Sequence, residues 1–236
     1  PSMVTSLEKR TILDLITAAG AAKACLIEEP LAAALGAGIK STRPVGAMVV
    51  DIGGGTTDIA VITMGCISVS RSIKVAGNTF DEAIARQIRR ERDVIIGDKT
   101  AEMLKKQIGY SFLRDVELGM TVKGKHFITN LPVSIEVSST EVYLAMRPHL
   151  EAIAEAVRSV LELTPPELSA DICESGIYLT GGGALLKGID KMIGKKTGIK
   201  TFVAKDALNC VALGTGEALS HIDILSQNGY VFKARD

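Results

Sequence analysis

The residues whose types and spacing could do chemistry cluster first at Asp51, Gly53, Gly54, Gly55, Thr56 and Thr57, set between the apolar runs 47–50 and 59–62. Glycines permit positive φ and leave no Cβ in the way, so backbone N–H groups from Gly53 to Thr57 could converge on an anion such as a phosphate. A carboxylate just before such a turn would not attract phosphate; its use would be to hold a divalent cation, or that cation's waters, against it. The competing reading is a tight hairpin, but two-residue hairpin turns need only one or two special residues. Glu28 and Glu29 stand where a short apolar run delivers the chain to Pro30 and the small residues 31–36. They could serve the helix dipole alone, or one could point into a cleft and orient a water for attack on phosphate. A second triplet, Gly181, Gly182 and Gly183, closes another apolar run and offers a place where a flat ring could approach the backbone. Glu102, Lys105 and Lys106 fall at i, i+3 and i+4 on one helical face, the spacing of an ordinary salt-bridged surface.

The elements that must position these groups follow from pattern. Thr5 with Glu8 predicts a capping box and a helix stopped by Gly20, followed by a strand at 24–27 and a helix with Pro30 at its first position. After a linker at 41–44, runs at 46–51, 57–64 and 67–75 predict an antiparallel meander. Thr79 with Glu82 predicts a second capping box, and Thr100 a further helix. Alternation from 116 to 137 predicts a hairpin turning at Lys123, Gly124 and Lys125. Ser138 with Glu141 predicts the cap of a long helix that Pro165 and Pro166 end. The second triplet leads into a helix predicted from 184 to 196, and a last helix is predicted after the small-residue stretch 211–216. Residues 79–138 read as an insertion into a domain that resumes near 139.

Composition bounds the rest. With 236 residues, 47% of them apolar and only 4% aromatic, the chain suits an aliphatic α/β protein. Lys plus Arg equals Asp plus Glu at 27 each, so no basic excess argues for a nucleic-acid partner. Cys25, Cys66, Cys173 and Cys210 lie far apart, as do His126, His149 and His221, without metal-ligand spacing. Reduced structural thiols in a cytosolic protein are expected. No apolar run approaches the roughly 18 residues of a membrane span. The start at Pro1, with Met3 and Val4 reading like a strand's end, suggests a fragment whose N-terminal part is missing.

Taken together, residues 27–36 (IEEPLAAALG), 51–58 (DIGGGTTD), 96–102 (IGDKTAE), 164–172 (TPPELSADI) and 179–186 (LTGGGALL) resemble the MreB family of bacterial actins, within the superfamily of actins, sugar kinases and heat-shock chaperone ATPases. The resemblance implies an actin-like, ribonuclease H-like α/β fold. Its mixed sheet would have flanking helices and a small inserted α+β subdomain, in a fragment of a two-domain protein. Residues 1–43 would belong to the first domain, 44–78 and 139–212 to the core of the second, 79–138 to its inserted subdomain and 213–236 to a helix returning to the first. ATP or ADP with Mg²⁺ is implied in the cleft. Glu29 would orient the hydrolytic water, Asp51 would act on Mg²⁺ through water, and Gly53, Gly54, Gly55, Thr56 and Thr57 would hold phosphate, with Thr56 or Thr57 near the γ-phosphate. Gly77 would sit at the hinge side, Glu102, Lys105 and Lys106 would embrace the ribose, and Gly181, Gly182 and Gly183 would back the adenine. The family's first phosphate hairpin is not among these residues, so phosphate binding is expected to be weak.

The implied function is slow ATP hydrolysis coupled to self-assembly into filaments at the inner face of the cell membrane. There they would guide cell-wall elongation proteins and determine rod shape. A nucleotide-gated scaffold without hydrolysis and a chaperone-type ATPase or sugar kinase are the alternatives. The chaperone would need a peptide-binding domain and the kinase a sugar-binding base, and neither is visible.

Overall fold

The computed structural model describes residues 4–39, 44–221 and 232–234. Most of the linker expected at 41–44, the reading of Met3 and most of the chain after 221 lie outside them. Helix α1 (Ser6–Ala18) starts where local chemistry dictates: Glu8 N–H donates to Thr5 Oγ1 at 3.3 Å, and Thr5 N–H donates to Glu8 Oε2 at 2.8 Å. Two otherwise orphaned donors of the first turn are satisfied. Strand β1 (Lys23–Cys25) leads to α2 (Glu29–Gly36), which begins one residue before Pro30. Strands β2 (Ala47–Ile52), β3 (Thr57–Thr63) and β4 (Cys66–Ile73) form the expected antiparallel meander. Next come α3 (Gly77–Arg92), β5 (Val94–Ile95), α4 (Asp98–Ile108), β6 (Gly119–His126) and β7 (Pro132–Ser138). The chain continues through α5 (Ser139–Leu163), α6 (Pro166–Ser175), β8 (Ile177–Thr180), α7 (Ile189–Thr197), β9 (Thr201–Val203), α8 (Cys210–Ala218) and β10 (Phe232–Ala234).

The main sheet is mixed, in the order β4-β3-β2-β8-β9, with β8 parallel to both β2 and β9. All six residues of β2 are buried, so alternation sends them to two cores rather than to core and solvent. Met48, Val50 and Ile52 join the larger core with Phe80 and Ile84 of α3 and Met146, Leu150 and Ile153 of α5. Val49 joins Ala60 and Ile62 in a smaller one, against Leu31, Ala33 and Ala34 of α2 and Ala218 of α8. Burying each of the large side chains contributes roughly 1.5–3 kcal/mol. By the same alternation Asp51 lies on the face that α2 covers, the helix whose first residue is Glu29.

Helix α2 is fixed there by its crossing with α8. A Cβ on Gly36 would lie 1.8 Å from Cys210 O, and one on Gly214 would lie 1.7 Å from Ala32 O. The two backbones touch, and no residue but glycine fits. The predicted last helix therefore starts earlier than its pattern suggested: the small-residue stretch is itself part of the helix, with Gly214 packed against α2.

Three other expectations are corrected. The hairpin of β6 and β7 turns at residues 127–131, where Asn130 takes φ 58° and His126 N–H donates to Leu131 O at 2.9 Å. Gly124 is mid-strand opposite Val133, and a Cβ there would meet Val94 Cγ1 at 2.5 Å; this glycine marks the crowding of β5. Helix α3 starts at Gly77, and Thr79 caps from inside the first turn by accepting the Ala76 N–H at 3.4 Å. The second triplet enters only a short 3₁₀ turn, Gly182–Leu185, and α7 begins after Gly188. Ser138 and Glu141 do form the predicted reciprocal cap of α5, at 3.2 and 2.9 Å. The four cysteines carry free thiols. Among the described residues no helix is long and apolar enough to cross a membrane.

Candidate functional site

The first triplet turns between β2 and β3. Gly53 N–H donates to Thr56 O at 2.9 Å, so this donor closes the turn rather than waiting for an anion. None of Gly53, Gly54 and Gly55 has a left-handed φ, which corrects the first reason for placing glycine there. The second reason holds. A Cβ on Gly55 would meet nothing within 4 Å, and one on Gly54 would meet only the tip of Asn78, at 3.3 Å. The hairpin is bare toward its surroundings and tied down behind: Gly77 N–H donates to Gly53 O at 3.1 Å and Asn78 N–H to Gly54 O at 2.8 Å.

The second triplet serves the opposite purpose. Gly181 adopts φ +80°, and a Cβ there would lie 2.4 Å from Ile52 O; a Cβ on Gly183 would lie 2.3 Å from Ile52 Cγ2. The two triplets are therefore stacked, the second pressed onto the last residue of β2. Register explains it, because β8 pairs with β2 so that Thr180 stands beside Asp51.

Between them sits the carboxylate. Asp51 is buried, and Thr180 Oγ1 donates to its Oδ1 at 2.7 Å. Burial pushes its pKa up to about 6; the Thr180 bond pulls it down, while Glu29 and Asp58 push it further up. Asp58 is its direct neighbour across the β2–β3 ladder.

Glu29, Asp51, Gly53, Gly54 and the second triplet line one cleft of about 940 Å³, while Thr180, Asp58 and Ile52 lie behind it and the hairpin's tip outside it. Glu29 and Asp51 form one wall with Gly53 and Gly54. Gly77, Glu102, Lys105 and Lys106 form the second, and Gly181, Gly182 and Gly183 the third. Glu28 is not among the lining residues. Neither are Gly55 and Thr56, and Thr57 is fully buried with its hydroxyl donating to Val75 O at 2.6 Å. Thr57 is thus a tie between β3 and the approach to α3, in place of the phosphate contact expected of it. Lys106 pairs with Glu102 at 2.6 Å in the open, and that bond holds the Glu102 carboxyl below its usual range. Lys105 donates to Asp81 Oδ2 at 2.7 Å and to Gly77 O at 2.9 Å, largely shielded from solvent.

Pattern reading missed Asn78, Asp81, Lys187, Leu208 and Val211, all of which line the cleft. Asn78 and Asp81 carried a usable signal, since they stand beside Gly77 and one helical turn beyond it, and Lys187 stands four residues after Gly183; Leu208 and Val211 reach the cleft only through long-range packing. Among the described residues no group of three or more His, Cys, Asp or Glu side chains is placed to hold a metal ion directly. The arrangement suits a ligand with an apolar end, polar hydroxyls and an anionic end near a cation: small bare backbone, an acidic pair and a lysine wall.

Known proteins resemble this chain in sequence and in fold. The family model of the MreB/Mbl protein matches residues 1–227. The cell shape-determining protein Mbl of Bacillus subtilis (strain 168) is 44% identical over 225 residues, which are 95% of this chain and 68% of that protein. The cell shape-determining protein MreB of Escherichia coli (strain K12) is 43% identical over 224 residues, or 95% and 65% of the two. The crystal structure of MreB5 of Spiroplasma citri bound to ADP superimposes with a TM-score of 0.91 at 43% identity, over 97% of this chain and 70% of that one. Agreement in sequence, in fold and along nearly its whole length assigns the chain: it belongs to the MreB/Mbl family and has an actin-like fold.

Proposed function

We propose that this chain carries the nucleotide cleft of an actin-like cell shape-determining protein that takes up ATP or ADP with Mg²⁺ and assembles with its own kind into filaments. The observation that carries the reading is that Glu29, Asp51, the first glycine hairpin, the α4 lysines and the second triplet, drawn from the whole length of the chain, line one cleft. The ADP-bound relative at 43% identity supports the same ligand class. We read residues 44–78 and 139–212 as one domain core, 79–138 as its inserted subdomain, and 1–43 with 213–236 as parts of a neighbouring domain.

The residues fit a cation held through phosphate and water. Asp51 is a buried carboxylate whose ionisation is opposed by Glu29 and Asp58, and a nearby positive charge would relieve that opposition. Mg²⁺ bound there would neutralise charge on the phosphate oxygens. The protein's own part is positional. Gly53 and Gly54 let phosphate approach the backbone, the Gly77 and Asn78 N–H groups fix that hairpin, and Glu29, held at the first position of α2 by the α2–α8 crossing, accepts a hydrogen bond from the attacking water. Slow hydrolysis, contact with the inner membrane face and guidance of cell-wall elongation belong to this reading as its consequences in the cell.

Calorimetric titration of the chain with ADP and with a non-hydrolysable ATP analogue, each with and without Mg²⁺, together with a phosphate-release assay on ATP, tests it. Binding that Mg²⁺ strengthens, and that Glu29→Ala leaves intact while phosphate release is lost, is the expected result. No binding of either nucleotide overturns the reading. Assembly without any phosphate release would favour the scaffold alternative.

A further inference from the structure

Asp81 lies outside every motif that points to chemistry, yet it sits where the glycine hairpin and α4 meet. The Lys105 ammonium bridges Asp81 Oδ2 and Gly77 O, and both side chains of this ion pair are only 14% exposed. Gly77 passes the connection on through its N–H to Gly53 O, and Asn78 does the same to Gly54 O. One path of hydrogen bonds thus runs from α4, through the first turn of α3, to the hairpin. A lysine is a compact charge on a flexible stem and does not hold a carbonyl by itself. A shielded carboxylate beside it fixes the ammonium by a charge-assisted bond, which solvent screens less than a surface pair. Lys106 shows the contrast, since its partner Glu102 is open to solvent and neither touches α3 in this way.

Asp81 keeps this position at a cost. Its Oδ1 is buried and has no hydrogen-bond partner among the described residues, and burial raises its carboxyl above the usual range although Lys105 pulls it down. The ammonium has three protons, and two are committed to Gly77 and Asp81; the third is left for an oxygen of a ligand in the cleft that Lys105 lines.

We propose that Asp81 is a positioning residue: it seats Lys105 on the Gly77 carbonyl and so couples occupancy of the α4 side of the cleft to the placement of the glycine hairpin. The proposal rests on the nucleotide reading of the cleft. It predicts that the coupling is felt by the anionic end of a ligand more than by its nucleoside end.

The test is a double-mutant cycle on this chain, with Asp81→Asn, Lys105→Met and the double variant titrated with ADP and with adenosine. Asp81→Asn is expected to weaken ADP about tenfold and adenosine distinctly less, and to add under about twofold to the loss already caused by Lys105→Met. Amide hydrogen exchange without ligand gives a second readout: Gly77 and Asn78 should exchange faster in Asp81→Asn while β2 and β3 stay protected. Equal losses for the two ligands, additive losses in the cycle, or unchanged exchange at Gly77 and Asn78 would each overturn the proposal. If the unmodified chain binds neither ligand, the nucleotide reading falls and the coupling with it; if it binds both and the cycle is additive, only the coupling falls.

Discussion

The two glycine triplets look alike in sequence and do opposite things in space. At Gly53, Gly54 and Gly55 the backbone has ordinary dihedral angles, and the room a side chain would fill is open at Gly55, bordered by the end of the Asn78 side chain at Gly54 and limited at Gly53 only by Thr56 O at 3.3 Å. At Gly181 and Gly183 that room is already taken by Ile52, and Gly181 needs a left-handed φ as well. The first triplet keeps space free for something outside the chain. The second lets the chain pack on itself, and only Gly182, whose Cβ would meet nothing nearer than Leu208 Cδ1 at 3.3 Å, shares the first one's openness. A run of glycines therefore does not say by itself whether a Cβ is excluded by the fold, and only the neighbours tell a packed corner from an open one.

The largest effect that would break this comparison is at Gly181. Its φ of 80° with ψ of 168° is a region essentially confined to glycine, and a Cβ would press on a backbone oxygen of a fully buried residue. Gly181→Ala is expected to cost about 3 kcal/mol or more in urea denaturation, enough to unfold a marginal domain. A cost within about 1 kcal/mol would mean that the second triplet is as open as the first.

The next effect belongs to Asp51, which lies between the triplets and serves both. Its bond to Thr180 joins the two strands, while its charge is useful only to a cation-bearing ligand. Its pKa of about 6 stands above the ordinary 3.8, so the folded chain holds this proton more tightly than the unfolded one. The stability that follows is fully present below the unfolded value and is lost as pH rises through the folded one, by up to about 3 kcal/mol in all. Asp51→Asn keeps the bond and removes the charge. It should be more stable than the parent above about pH 6.5, with the difference shrinking toward pH 4, while Mg²⁺ loses its effect on nucleotide affinity. Urea midpoints measured across that range check the sign; a gap that does not change with pH would contradict the burial of the charge.

Much of the fold was readable from short-range pattern because its causes are short-range. The caps at Thr5 and Ser138 and the β2–β3–β4 meander depend on residues a few positions apart. What could not be read depends on partners far away in the chain. Gly124 is explained by Val94, Gly36 by Cys210, Gly181 by Ile52, and the hydroxyl of Thr57 by the carbonyl of Val75. The site divides in the same way. Glu29, Asp51 and the glycines announced themselves by local spacing, whereas Asp81 acquires its role only when α4 brings Lys105 beside it.

A smaller effect sharpens the comparison from the other side. Gly54→Ala places a methyl group against the movable end of Asn78 with no left-handed strain, so stability should change by less than about 1 kcal/mol. The same methyl group projects from a residue that lines the cleft, so ADP affinity is expected to fall about tenfold, read by calorimetry beside the urea midpoint. A loss of stability without loss of affinity would make the first triplet a packing device like the second.

The smallest effect concerns the lysine wall that faces both triplets. Lys106 and Glu102 approach to 2.6 Å but are 67% and 47% exposed, and an exposed ion pair gives back in side-chain entropy and solvent screening most of what attraction supplies. Lys106→Gln should therefore leave the urea midpoint unchanged, with any residual difference disappearing in high salt. Lys105→Gln, made in the shielded neighbour that holds Gly77, should lower that midpoint and do so in salt as well. The contrast follows from what each ammonium holds: Lys106 only another mobile side chain, Lys105 the backbone that carries the open triplet. If the two substitutions behaved alike, the first hairpin would owe its position to β2 and β3 alone, and the bonds behind it would be incidental.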